Sequence, residues 1–201
     1  MISWGIAWTN AKIVNEYFNF YDLVSLRFFF GALSLIPILL FDKKRFLFKN
    51  SYLKYLIPAS IMFFLYNMSF FMGTHYGDPG KGAVFATTTN PIITLALMAL
   101  ITRKITKREV LGILGGVAGG LLIMDVFNTG IGDMFSIENM FFPICSVLWG
   151  IVTILISYAQ KEVPPLQFIF YCYLLTALFS APFTNITSKE IFSLDSSFYL
   201  N

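Results

Sequence analysis

The sequence predicts an all-α membrane protein of about seven transmembrane helices. One repeat of five comes first, followed by the first two helices of an inverted second repeat. Three observations predict it. Of the 201 residues, 57% are hydrophobic and 12% charged, about half the charge of a soluble domain, and mean hydropathy is +0.71. The apolar residues fall in long runs near the ~20 residues a helix needs to cross a bilayer core. Such runs are too long for the ~10-residue alternating strands of a membrane barrel. Finally, Lys and Arg collect in alternate gaps between the runs, the mark of a polytopic chain whose basic loops stay in the cytoplasm.

The runs follow in order. Ile2–Val14 is short: from Met1 it reaches only ~21 Å at 1.5 Å per residue. Leu23–Phe41, Leu53–Thr74, Gly80–Ile101 and Val110–Phe127 complete a first segment, residues 1–127. Phe141–Tyr158 and Leu166–Phe183 belong to a second, residues 128–201. Asp78-Pro79-Gly80 separates the third helix from the fourth, and Pro164-Pro165 the sixth from the seventh. Thr106 and Glu109 form a capping box that opens the fifth.

Orientation follows by parity. Lys43, Lys44, Arg45, Lys49 and Lys54 share one gap, Arg103, Lys104, Lys107 and Arg108 a second, and Lys161 lies in a third. These gaps and the N-terminus are assigned to the cytoplasm. The expected location is the cytoplasmic (inner) membrane, multi-pass.

Several function classes find no support. A net charge of +3 reflects the basic loops and offers no face to grip a phosphate backbone, so nucleic acid is not an expected partner. Cys145 and Cys172 sit inside apolar runs and read as small buried hydrophobes. With one His and no Cys/His cluster, no metal site is expected. No Walker loop or acid/base constellation appears, so neither enzyme activity nor a cofactor is expected.

An internal echo suggests the architecture. Trp4-Gly5-Ile6 recurs as Trp149-Gly150-Ile151, each followed by a helix remainder, a short polar loop and an aromatic helix. The two tryptophans lie five helices apart, an odd number, so the second copy enters the membrane from the opposite side. That is an inverted-topology repeat, common in secondary transporters.

Candidate solute-binding residues are the polar and aromatic positions at membrane depth. Trp4, Trp8 and Lys12 share one face of the first helix, with Trp8 over Lys12 as a cation–π pair. They read either as a pocket wall or as an interfacial lysine with belt tryptophans. Arg27, on the second helix, reads as a functional charge or as a partner of Asp22 or a lipid headgroup. Asn67 and Thr74, seven apart, line one face of the third helix beside Tyr66. On the fourth, Thr88 and Asn90 stand before Pro91, which frees a backbone carbonyl. Such freed groups either line a cavity or are satisfied by threonine hydroxyls. Trp149 and Thr153 belong to a stripe on the sixth helix that is the repeat-mate of the Trp4–Lys12 face. Gly112, Gly115, Gly116, Gly119 and Gly120 give the fifth helix a face for close packing.

Trp4-Gly5 with Lys12, Arg27-Phe28, Asn90-Pro91, Gly112 with Gly119-Gly120, and Trp149-Gly150, in this order, resemble the drug/metabolite transporter superfamily in its EamA-like branch. The resemblance implies ten helices in two inverted five-helix repeats around a central pocket, carrying amino acids, nucleosides or other metabolites. Two departures stand out. Arg103 occupies a position where a Glu often follows the fourth helix, and three helices of the second repeat have no counterpart. The expected function is secondary transport of a small polar metabolite, such as an amino acid, by an incomplete copy. The alternative is a non-transporting remnant or assembly partner. Expected partners are a small-molecule solute and the lipid bilayer, with a dimer or a complementing chain to supply missing walls.

Reporter fusions at Asn50 and at Thr129 should report opposite sides of the membrane, because the basic loop at Asp42–Tyr52 is assigned inside. The same side for both overturns this topology.

Overall fold

A computed structural model describes residues 2–41, 46–123, 130, 132 and 136–185, with side chains from residue 6 onward. Among the described residues all regular structure is helical. The order is α1 (Ile2–Val14), α2 (Phe20–Phe41), α3 (Leu53–Tyr76), α4 (Pro79–Thr102), α5 (Lys107–Ile123), α6 (Phe141–Ala159) and α7 (Pro165–Ser180). Short 3-10 turns at Asn50–Tyr52 and Ala181–Phe183 lead into α3 and out of α7. The basic residues Lys43, Lys44 and Arg45, the end of the fifth run and the tail beyond residue 185 lie outside the described residues.

Among the described residues five helices are long and apolar enough to cross a bilayer: α2, α3, α4, α6 and α7. In lipid, backbone groups must find their partners within the segment, which selects helices for every span. The helix ends use local chemistry. Asp78 caps α4 by accepting the Gly80 and Lys81 amides at 2.7 and 3.4 Å. The capping box forms: Thr106 donates its amide to Glu109 at 2.6 Å, and the Glu109 amide returns to the Thr106 hydroxyl at 3.3 Å. Helix α4 runs unbroken through Pro91. Within it Thr87 donates its hydroxyl to the carbonyls of Ala83 and Val84 at 2.7 and 2.9 Å.

Helix α3 is the centre of the bundle and packs most extensively on α6 and then α7, while α2 lies on α7 and α4 on α6. Helix α5 is attached through α4 and is exposed along most of its length. The tightest junction forms around Phe142, which is fully buried. Gly73 on α3 leaves room for its ring; a Cβ there would stand 2.7 Å from the ring edge. Gly82 on α4 does the same from the other side, and a Cβ there would also collide with Phe142. From α1, Trp8 completes the junction with its ring centroid 5.8 Å from that of Phe142.

Hydrogen bonds between helices reinforce the packing. Asn15, just past α1, donates its side-chain amide to the Thr74 hydroxyl and the Phe71 carbonyl of α3 at 2.9 and 3.0 Å. Thr89 on α4 donates to Ser146 on α6 at 2.9 Å. Thr176 on α7 reaches the Ser60 carbonyl of α3 at 3.2 Å, and the Cys145 thiol of α6 reaches the Tyr66 carbonyl at 3.3 Å. At the end of the bundle assigned to the cytoplasm, Glu162 accepts from Lys54 at 2.9 Å and from the Tyr55 hydroxyl at 2.8 Å. These donors hold the Glu162 carboxyl below the usual carboxylate range. The pair is exposed, so it guides the fit of α3 to the α6–α7 loop more than it stabilises it.

The glycine face of α5 divides in two. A Cβ on Gly116 or Gly120 would approach Ile92 or Thr88 of α4 at 3.2 and 3.3 Å, whereas one on Gly112, Gly115 or Gly119 would meet nothing within 4 Å. The expected close packing is thus present on the α4 side alone.

Three outcomes follow from this packing. Gly82→Ala should lower the melting temperature in detergent, because Phe142 has no room to yield. Gly112→Ala should be neutral or stabilising, since Ala is about 1 kcal/mol better than Gly within a helix. A double-mutant cycle on Asn15→Ala and Thr74→Val should give a coupling on the order of 0.6 kcal/mol, the average for hydrogen bonds between membrane helices. Additive losses would mean that the bond contributes nothing.

Candidate functional site

The polar positions picked out by the sequence do not all converge. Three of them, Arg27, Asn67 and Trp149, line a cavity of about 460 Å³ where α2, α3, α6 and α7 meet. Helix α2 contributes Arg27, Phe28 and Gly31 at a spacing that stacks them on one face. Helix α3 adds Phe63, Tyr66 and Asn67, and Tyr173 closes the wall from α7. The volume lies within the ~300–1,000 Å³ range of small-molecule sites.

The aromatic rings form a connected lining. Tyr66 and Trp149 lie 4.9 Å apart by ring centroids. Phe28 packs edge-on to Tyr173 at 5.1 Å and to Phe63 at 6.1 Å. The exposed Arg27 has its guanidinium over Phe70 at 5.4 Å and Phe71 at 6.0 Å, rings that line the neighbouring space between α1, α2 and α3 rather than this cavity. Asn67 is 2% exposed. Its amide nitrogen donates to the Phe63 carbonyl one turn back at 2.8 Å, and its oxygen has no protein partner among the described residues. A buried acceptor left in this state costs about 1–3 kcal/mol and is relieved by a donor from a ligand or a water.

The other expected residues have different surroundings. Trp8 is buried at 2% exposure against Phe70 and Phe142. Lys12 is exposed and does not form the expected pair with Trp8. The helical period explains the separation: four residues advance 400°, so Lys12 stands 40° off Trp8, on the side away from Ala11 and Asn15, which are buried. The Trp4 side chain lies outside the described residues. Thr74 is on the Asn67 side of α3 but two turns further along, where its hydroxyl accepts the Asn15 amide. Thr88 faces a groove of about 420 Å³ between α4 and α5, with Pro91 and the glycines of α5. Asn90 is 7% exposed and its side-chain oxygen lacks a protein partner among the described residues, but it is not among the residues lining the central cavity. Thr153 returns its hydroxyl to the Trp149 carbonyl at 2.9 Å.

Tyr173, Phe28 and Gly31 were not candidates from the sequence, because nothing distinguishes them from the other aromatic and small residues of apolar runs. Arg27 did carry a signal, as a charge within a span, but its alternative reading as an interfacial anchor was open. The structure places it beside two spaces, the central cavity and a second of about 540 Å³ between α1, α2 and α3.

The geometry describes a small, largely aromatic chamber with a cation and an unsatisfied acceptor, inside a bundle built to cross a membrane. Comparison with known proteins agrees with that setting. The protein named "Uncharacterized transporter YyaM" from Bacillus subtilis is 28% identical over 193 residues, covering 93% of this chain and 63% of the relative. "Uncharacterized transporter YoaV" from the same organism is 23% identical over 161 residues, covering 80% and 55%. An Acidianus ambivalens protein, "Uncharacterized transporter in sor 3'region", is 31% identical over 136 residues, covering 65% and 47%. The chain therefore spans about half to two-thirds of the length of these relatives. No solved structure gives a significant match. The profile of the EamA-like transporter family matches residues 1–125, more than half of the chain, and this multi-pass membrane protein belongs to that family.

Proposed function

We propose that the chain forms the solute-binding part of a secondary transporter for a small polar metabolite of about amino-acid size. In this reading it sits in the cytoplasmic membrane with its N-terminus inside, and residues 1–127 and 128–201 belong to two inverted repeats. The observation that carries the reading is the central cavity, whose walls come from both segments: α2 and α3 from the first, α6 and α7 from the second. A transporter that alternates access needs its site where two such units meet. A buried Asn67 oxygen without a protein partner gives that site a group able to hold a solute.

A second reading is favoured by α5. Its Gly112, Gly115 and Gly119 face open space, and spacings of three and four are those at which membrane helices approach closely. The chain then works as an assembly partner, with transport requiring helices from another chain.

The purified chain in proteoliposomes tests both. On the first reading, a radiolabelled mixture of the protein amino acids should accumulate above empty vesicles. Trp149→Ala and Asn67→Leu should each reduce the rate about tenfold or more, equivalent to ~1.4 kcal/mol. Lys12→Ala, away from the cavity, should leave the rate unchanged. Accumulation no greater than in empty vesicles overturns transport of this solute class by the chain alone.

A further inference from the structure

We propose that Arg27 is the anion-recognising residue of the central cavity, and that the cavity takes an organic carboxylate with a flat apolar body. The inference rests on the reading of this cavity as the solute site.

Arg27 lies about two turns into α2, whose first residue is Phe20. A guanidinium at that depth is costly unless something pairs with it. Among the described residues no carboxylate comes within ion-pairing distance of it. Asp22, the acid nearest in sequence, is buried and accepts the Asn185 amide at 3.0 Å. The ion pair between Lys54 and Glu162 is in the α3 and α6–α7 region assigned to the opposite side. The rings of Phe70 and Phe71 offset part of the charge, but they accept none of the guanidinium's five N–H bonds. Those donors form a planar fork suited to a carboxylate.

The rest of the wall narrows the class. The Asn67 oxygen accepts and has no protein partner among the described residues, so it favours a solute that also carries an N–H or O–H donor. Tyr66 and Trp149, with Tyr173 opposite, offer ring faces for a flat body. An amine without a carboxylate would meet the guanidinium's like charge. A carboxylate would give the exposed guanidinium a charge-assisted, bidentate partner at the cavity wall.

The same fork fits the phosphate of a lipid headgroup, and the experiment separates the two sources. The wild-type chain is placed in phosphatidylcholine nanodiscs, and saturable binding of radiolabelled 3-phenylpropionate is measured over empty nanodiscs. Unlabelled phenylalanine should compete at least as well as 3-phenylpropionate itself, whereas phenethylamine should not compete at tenfold higher concentration. Arg27→Gln should weaken 3-phenylpropionate binding about tenfold or more, and Arg27→Lys, which keeps the charge but not the fork, should weaken it less. Asn67→Leu should remove the advantage of phenylalanine over 3-phenylpropionate. The melting temperature of each variant establishes that it is folded, and Arg27→Lys retains a test should Arg27→Gln fail to fold. No saturable binding, equal competition by phenethylamine, or unchanged affinity in Arg27→Gln overturns the proposal. So does loss of 3-phenylpropionate binding when phosphatidylglycerol is added, since Arg27 would then serve a headgroup. Amino-acid accumulation that depends on Trp149 but not on carboxylate recognition would leave the transport reading standing and remove this one. The expected binding pattern without accumulation would do the reverse.

Discussion

The bundle depends on the burial of α3. Its most apolar window is 56% buried, against 11% for α4 and 28–39% for α2, α6 and α7. In a bilayer, apolar surface gains little by leaving lipid for protein, so helices associate through close packing and hydrogen bonds. Helix α3 supplies both. Gly73 admits the Phe142 ring, and three of its carbonyls, at Ser60, Tyr66 and Phe71, accept bonds from neighbouring elements. Each neighbour is positioned relative to this helix, and the cavity is the volume left where α2, α6 and α7 do not fully close against it.

Polar residues in the spans therefore divide into two groups. Asn15, Thr74, Thr89, Ser146 and Thr176 bond across elements and hold the bundle together. The Asn67 oxygen does not: it is buried beside the central cavity without a protein partner among the described residues. The difference matters because an unsatisfied polar group in a low-dielectric interior is expensive. A chain that retains one beside a cavity keeps a free-energy difference that a ligand can relieve.

Helix α5 shows the opposite condition. It meets the bundle along α4 and leaves part of its glycine face open. Close approach at Gly116 and Gly120 creates the groove that receives Thr88. The groove is lined mainly by apolar and glycine surface, without a charge, and so differs in kind from the central cavity.

Helix number, type and approximate limits were legible in the sequence because bilayer thickness sets run length and because Pro, Gly and capping residues punctuate the ends. The limits of α1, the capping box at Thr106 and Glu109, and the burial of Cys145 and Cys172 all emerge as read. Asn67 and Trp149 were singled out in the sequence as polar and aromatic positions in apolar runs, and both line the central cavity. What the sequence left open was rotation. Spans such as α2 and α7 are apolar all round, so no stripe marks the face that meets protein. Arg27 therefore read as a functional charge or, more readily, as an interfacial anchor, and Tyr173 was indistinguishable from its aromatic neighbours. Lys12 looked aligned with Trp8 until the 40° offset per four residues was set against the face that α1 buries. The sequence by itself determined the all-helical class, the order of seven helices and most of their limits, of which five among the described residues are long and apolar enough to cross. Only the tertiary packing, through close contacts at Gly73, Gly82 and Phe142, decided which way each helix turns and hence which side chains line the cavity.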